Sequence, residues 1–61
     1  MTMAGKFEVY EDRHGRFRFR LKNHTGQIVA TGEPVATLAD ARRGCELVRR
    51  AADGATIEDA T

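Results

Sequence analysis

Two runs of strict alternation stand three residues apart near the start of the chain: KFEVYED over residues 6–12 and RFRFRLK over residues 16–22. Alternation with period two sends successive side chains to opposite faces of a β-strand. In the first run Phe7 and Val9 share one face, while Glu8, Tyr10 and Asp12 share the other. In the second, Phe17, Phe19 and Leu21 oppose Arg16, Arg18, Arg20 and Lys22. Arg13-His14-Gly15 lies between them and ends in glycine, which takes up the left-handed backbone of a tight loop without steric cost. The two runs are therefore expected to pair as an antiparallel hairpin with one apolar face that another element must cover.

Register follows from which side chains must share a face. A three-residue loop pairs Asp12 with Arg16, Tyr10 with Arg18, Glu8 with Arg20 and Lys6 with Lys22. On the other face it sets Val9 opposite Phe19 and Phe7 opposite Leu21. A two-residue loop would put Val9 opposite Arg20 and mix the faces. Each member of the arginine row then has a partner. Asp12 and Glu8 face Arg16 and Arg20, and Arg18 can stack on the Tyr10 ring. Glu11 falls on the apolar side opposite Phe17, at the sheet's end, where its carboxylate can reach water.

Asn23-His24-Thr25-Gly26 reads as a second turn, and QIVAT, residues 27–31, as a third strand rich in β-branched residues. Gly32-Glu33-Pro34 ends it, because proline cannot donate to a ladder. Thr37 is placed to cap a helix, with Asp40 three residues on. From there to about Asp53, Leu38, Ala41, Cys45, Val48 and Ala52 recur at steps of three and four and form one apolar stripe, with Leu47 and Ala51 at its margin. Asp40 with Arg43, Arg42 with Glu46, Glu46 with Arg50 and Arg49 with Asp53 are spaced as exposed ion pairs. Gly54 stands where helices end. ATIED, residues 55–59, reads as a short strand centred on Ile57. The fold class is α+β: a β-β-β-α-β unit, an antiparallel meander with one covering helix.

The size makes that unit hard to stabilise alone. Sixty-one residues form one domain, residues 1–61, with residues 1–4 expected to be flexible. A single core below ~70 residues rarely supplies more than ~3–5 kcal/mol. One cysteine forms no internal disulfide, and no spaced Cys/His set offers a zinc site. Oligomerisation is the remaining support.

Charged residues make up 31% of the chain, yet the net charge is +1 and the isoelectric point about 8.0. That is below the value of about 9 that marks an overtly nucleic-acid-binding domain. A hydrophobic fraction of 41% argues against wholesale disorder. No apolar run reaches membrane-spanning length and no signal-peptide core follows Met1, so the expectation is a cytosolic protein. Asn23-His24-Thr25 fits the N-glycosylation pattern, which has no meaning without a secretory route.

No catalytic constellation, phosphate-cradling loop or metal signature is visible. Cys45 sits mid-helix on the apolar stripe, far from the helix end that would favour its thiolate, and reads as a small core residue rather than a redox centre. His14 and His24 sit in separate turns and read as solvated. No cofactor is expected.

The segment GKFEVYEDRHGRFRFRLKNHTGQIVATGE, residues 5–33, resembles the YegP-like family of domains of unknown function, also called DUF1508 or UPF0339. The shared pattern is Gly-x-Phe-Glu-Val-Tyr at 5–10, Gly15, aromatic-Arg-aromatic-Arg-Leu-Lys over 17–22, Gly26, Ile28, Ala30-Thr31 and Glu33. Gly44, Val48, Ile57 and Asp59 extend it over nearly the whole chain. Pro34-Val35 departs from relatives with an aromatic near position 35, and Cys45 stands where isoleucine is common. The resemblance implies that two such units join in one sheet with their C-terminal strands exchanged. For a single-unit chain it implies a homodimer in which Ala55, Thr56, Ile57, Glu58 and Asp59 cross to the partner. It implies no activity.

The functional expectation is a dimeric, non-enzymatic structural or interaction module. The alternative is a weak RNA or single-stranded DNA binder using Arg16, Arg18, Arg20 and Lys22, with Tyr10 as a stacking platform.

Overall fold

The computed structural model describes residues 4–61; the expectation for the first residues of the chain falls largely outside that range. Strands β1 (Lys6–Glu11), β2 (Phe17–Lys22) and β3 (Ile28–Thr31) form an antiparallel sheet in the order β1-β2-β3. Helix α1 (Leu38–Ala52) packs across β2 and β1. The β1–β2 register is the expected one: Lys6 opposite Lys22, Phe7 Leu21, Glu8 Arg20, Val9 Phe19, Tyr10 Arg18 and Glu11 Phe17. Glu11 is exposed at the end of β1.

Both hairpin loops use the same device. Asp12 and Asn23 each turn a side-chain oxygen back onto the loop. Asp12 Oδ1 accepts from the backbone N–H groups of His14 and Arg16 at 2.9 and 3.0 Å. Asn23 Oδ1 accepts from those of Thr25 and Gln27 at 3.1 and 2.9 Å. Gly15 and Gly26 close the loops at φ of 75° and 91°, a conformation that costs other residues steric strain.

β3 is less regular. Leu21 pairs with Ala30 but Lys22 pairs with Ile28, so Val29 is the extra residue of a bulge. Past β3 the chain stays beside β2. Gly32 donates its N–H to the Phe19 carbonyl at 2.8 Å, and Val35 exchanges both backbone bonds with Phe17 at 2.8 Å. The proline at 34 therefore spans a detour rather than an exit from the sheet.

Helix α1 starts as its sequence dictates. Thr37 Oγ1 accepts from the Asp40 N–H at 3.1 Å. Its apolar stripe is only half used. Ala41 and Cys45 are buried, Gly44 and Val48 partly so, but Leu38 and Leu47 are 47% and 61% exposed. After Ala52 the chain makes a tight turn, with Gly54 at φ 73° and the Ala55 N–H bonded to the Ala52 carbonyl at 3.1 Å. The expected strand at 55–59 does not form within this chain: residues 55–61 are irregular and exposed, and Ile57 is 99% exposed. A strand needs a neighbour for its backbone groups, and this segment has none among the described residues.

The core is correspondingly thin. Phe19, Ala41 and Cys45 are the buried apolar side chains among the described residues. Phe19 is its centre. Its ring meets Phe7 edge-to-face, centroids 5.8 Å apart, and lies between Gly32 and Gly44. A β-carbon at Gly44 would come within 3.1 Å of the ring, and one at Gly32 would overlap it. Gly32 has an ordinary backbone conformation, so the requirement there is for space alone. Gly32→Ala is therefore expected to destabilise the fold by about 2–3 kcal/mol through overpacking. Gly44→Ala should cost less, because the helix gains about 1 kcal/mol from losing its glycine. Urea denaturation of the two variants checks the order.

Candidate functional site

The sheet face away from α1 carries the residues singled out by alternation. Pairing places Lys6, Glu8 and Tyr10 of β1 beside Arg18, Arg20 and Lys22 of β2 on that face, with Arg16 just before β2. These are the side chains expected to form a cationic, stacking surface, and the fold does bring them together.

Their charges are then largely spent on one carboxylate. Glu8 bonds Arg20 Nε at 2.7 Å and Lys22 Nζ at 3.1 Å, with Lys6 Nζ at 3.5 Å. The bond from Arg20, and next that from Lys22, lower the Glu8 pKa from 4.5 to about 2. Lys6 and Lys22 stand directly opposite each other, a repulsive pairing that Glu8 bridges. Counting only directly opposed residues reveals the Glu8–Arg20 pair. The two lysines join it from neighbouring positions, and the signal was the like-charged Lys6–Lys22 pair beside a lone acid.

Two pairings differ from expectation. Arg20, not Arg18, lies over the Tyr10 ring, at 4.9 Å from its centroid. Strand twist brings diagonal neighbours together, and a long side chain spans the diagonal. Arg18 turns instead to the β3 side, where its Nε donates to the Gly32 carbonyl at 3.0 Å. Asp12 likewise does not pair with the Arg16 guanidinium. Its carboxylate holds the loop backbone, and the bond from the Arg16 N–H, with that from His14, keeps its pKa below the usual range. Four groups offered as phosphate contacts thus become two cations held by Glu8, one guanidinium bonded to a carbonyl, and Arg16 without an ion pair among the described residues.

The helix departs from expectation in a similar way. Among the described residues, Glu46 and Arg49 form the one ion pair of the helix, at 2.5 Å; the four pairings expected from spacing are not made. Glu46 lies within a helical turn of Arg42, Arg49 and Arg50 and serves one of them. Exposed pairs are worth a few tenths of a kcal/mol, too little to dictate the choice. Arg42, Arg43 and Arg50 are left without ionic partners among the described residues.

Those three arginines border a feature the sequence reading missed. An open groove of about 1030 Å³ runs between β1 and α1, with Phe7, Val9, Leu38 and Leu47 among its walls. The legible signal was Leu47, an apolar residue at the margin of the helix stripe and flanked by arginines. Cys45 lies at the groove's floor, and burial pushes its thiol pKa up, which disfavours the reactive thiolate. His14 and His24 are exposed in loops at opposite ends of the meander. Among the described residues no group of three or more His, Cys, Asp or Glu side chains could hold a metal ion, and no helix is long and apolar enough to cross a membrane.

The architecture is that of a small α+β unit, a three-stranded meander under one helix, with a paired-charge face on one side and an uncovered apolar groove on the other. The chain belongs to the family described as domain of unknown function DUF1508, whose pattern matches residues 12–59, and this bears out the resemblance read from the residues. A UPF0339 protein of Treponema denticola is 47% identical over 57 residues, which cover 92% of this chain and 98% of that protein. A UPF0339 protein from the 5′ region of the ptx operon of Stutzerimonas stutzeri is 40% identical over 57 residues. There the match covers 92% of this chain but 51% of the relative, so this chain spans about half its length. The NMR solution structure of a protein from Haloferax volcanii superposes with a TM-score of 0.80 at 35% identity, over 97% of this chain and all of that one. None of these names states an activity.

The Glu8 network has a pH signature. Its folded pKa of about 2 lies below the ordinary value of 4.5, so its stabilising effect is full above about pH 5 and is lost as pH falls towards 2. Wild-type protein is expected to lose stability more steeply across that window than Glu8→Gln, measured by urea midpoints at several pH values. Asp12, also lowered, leaves a shallower slope of the same sign in the variant. Parallel curves would show that the network adds nothing.

Proposed function

We propose that the chain is a non-catalytic interaction module that acts as a homodimer, in which residues 55–59 of each copy complete the other's sheet. One observation carries the reading: the segment ending the unit holds an apolar side chain, Ile57, that is 99% exposed. The size of the exposed surface supports it. The chain has 5321 Å² of accessible surface, against roughly 3,950 Å² for a compact monomer of its 6.8 kDa. The excess is larger than the ~800 Å² per partner buried in a standard interface. The radius of gyration, 13.0 Å, also exceeds the ~10.5 Å of a compact chain of this length. The tight Asp53–Gly54 turn leaves the segment little slack to return to its own sheet. A cytosolic setting is part of the proposal, since the lone thiol suits a reducing compartment.

The module reading predicts a solution mass of two chains at micromolar concentration. It also predicts that Ile57→Asp, a change in an exposed segment, shifts the protein to one chain without unfolding the helix. Sedimentation equilibrium with far-ultraviolet circular dichroism checks both. A wild-type mass of one chain with the fold intact would defeat the dimer.

A second reading, binding of RNA or single-stranded DNA, rests on the gathering of Tyr10, Arg16, Arg18, Arg20 and Lys22 on one side of the sheet. The Glu8 network counts against it, because two of those cations would have to leave a carboxylate to meet phosphate. Four phosphate contacts to a single strand would give a log–log salt slope of about −3. Titration of short mixed-sequence RNA is expected to show no saturable binding with that slope.

A further inference from the structure

We propose that Asp53–Gly54 is a self-modification site of this chain: the aspartyl residue converts to isoaspartate through a cyclic imide, and pairing of residues 55–59 with a second copy shuts the reaction off. The second half rests on the dimer reading; the first does not.

The chemistry needs an uncommitted carboxyl group and an unhindered nitrogen one residue on. The Gly54 nitrogen attacks Cγ of Asp53. The amide proton and the carboxyl hydroxyl leave together as water, and a five-membered imide closes. Water then adds back at one of its two carbonyls. Opening at Cγ restores aspartate. Opening at the main-chain carbonyl leaves the chain running through Cγ, with the former main-chain carbon as a carboxylate. The net change is no mass and one extra methylene in the backbone.

The surroundings of Asp12, Asn23, Asp40, Asp53 and Asp59 set one of them apart. Asp12 Oδ1 is engaged by the loop N–H groups of His14 and Arg16. Asn23 Oδ1 is engaged in the same way, and its Nδ2 donates to Gln27 Oε1 at 3.3 Å. Asp40 lies inside α1, where the next nitrogen, that of Ala41, donates to the Thr37 carbonyl at 3.2 Å. Asp59 is exposed, but the β-carbon of Ala60 crowds the nitrogen that would attack. Asp53 is exposed, is followed by glycine, and has no ionic or hydrogen-bond partner for its carboxylate among the described residues. The Gly54 N–H also makes no hydrogen bond among the described residues, although both neighbours do. Asp53 donates to the Arg50 carbonyl at 3.3 Å and Ala55 to the Ala52 carbonyl at 3.1 Å. A β-carbon at Gly54 would meet nothing within 4 Å beyond its chain neighbours, so the space over this peptide is open.

The same turn supplies the gate. Ring closure swings the Gly54 nitrogen over Cγ, by rotation about the Asp53 ψ away from its 111°. In the single chain this rotation carries only residues 55–61, which are irregular and exposed, and opens the Ala55–Ala52 bond. Once residues 55–59 are laddered into another copy's sheet, the same rotation would pull a strand out of register. Isomerisation works against pairing in turn. The extra methylene falls inside a turn closed by the Ala55–Ala52 bond and displaces the segment just before its first pairing residue. Chains that wait without a partner are thereby marked.

Wild type, Ile57→Asp, Asp53→Glu and a synthetic peptide of residues 51–61 would be aged together at mildly acidic pH and physiological temperature, with masses checked by sedimentation equilibrium. Trypsin cuts after Arg50, and isoaspartate in the fragment from Ala51 is read by chromatographic splitting at constant mass and by electron-transfer fragmentation. Ile57→Asp, as one-chain material, is expected to accumulate isoaspartate at position 53 at close to the peptide's rate. Dimeric wild type should be slower in proportion to its unpaired fraction, about tenfold when one chain in ten is unpaired. Asp53→Glu, whose ring would be larger and slower to close, should accumulate none at that position while keeping its helix by circular dichroism. Equal rates in two-chain wild type and one-chain Ile57→Asp would overturn the gate and leave the dimer reading standing. No isoaspartate at position 53 in one-chain material, while the peptide converts, would overturn the site. A wild type of one-chain mass at every concentration would overturn the gate together with the dimer reading, and its rate against the peptide's would still decide the site.

Discussion

The Phe19 ring sits where every element of the fold meets. β2 delivers it to the helix-facing side of the sheet, Phe7 of β1 meets it edge-on, and Gly32 and Gly44 lie against its edge from the β3 side and from α1. The missing side chains at 32 and 44 let backbone approach ring closely enough to exclude water. With Ala41 and Cys45 the other buried apolar side chains among the described residues, this contact anchors a sheet and a helix that otherwise cover each other incompletely. The same geometry explains the groove. The helix is centred over β2, so the apolar side of β1 and the Leu47 flank of α1 are left facing an open space.

The opposite face follows another logic. There the chain satisfies its charges internally, with Glu8 as the common acceptor for Arg20, Lys22 and Lys6. A surface that looks strongly basic in the sequence is thereby partly neutralised, and Tyr10 is covered by Arg20. Unspent charge lies elsewhere, on Arg42, Arg43 and Arg50 beside the apolar groove. Apart from Arg16, the basic residues that first draw attention are occupied, and among the described residues the less conspicuous helix arginines have no ionic partner.

The parts legible in the sequence were those fixed by parity and by turn chemistry. A one-residue slip would send Phe19 of β2, or Phe7 and Val9 of β1, to solvent, so the register could be read from faces alone. Gly15, Asn23 and Gly26 announced the two loops, and Thr37 the helix cap, whereas Asp12 read as a partner for Arg16 and in fact holds the first loop. β3 was harder, because Ile28, Val29 and Ala30 are apolar without alternation and do not reveal the bulge. The exposed ion pairs were not legible, since several partners compete at energies near thermal noise. Residues 55–59 read as a strand but take no regular structure in one chain, because a strand exists only with a neighbour. The groove was invisible for a related reason: it is a property of how α1 is placed, not of any single run of residues.

The central claim, that a second copy completes this open layer, is tested most directly by isotope-filtered NMR on a sample mixed from labelled and unlabelled chains. The account predicts nuclear Overhauser contacts between the Ile57 methyl groups of one copy and sheet side chains of the other, with slowed amide exchange along residues 55–59. Ile57 methyl groups at random-coil shifts, without contacts between copies, in a sample whose sheet and helix amides are well dispersed, would contradict it.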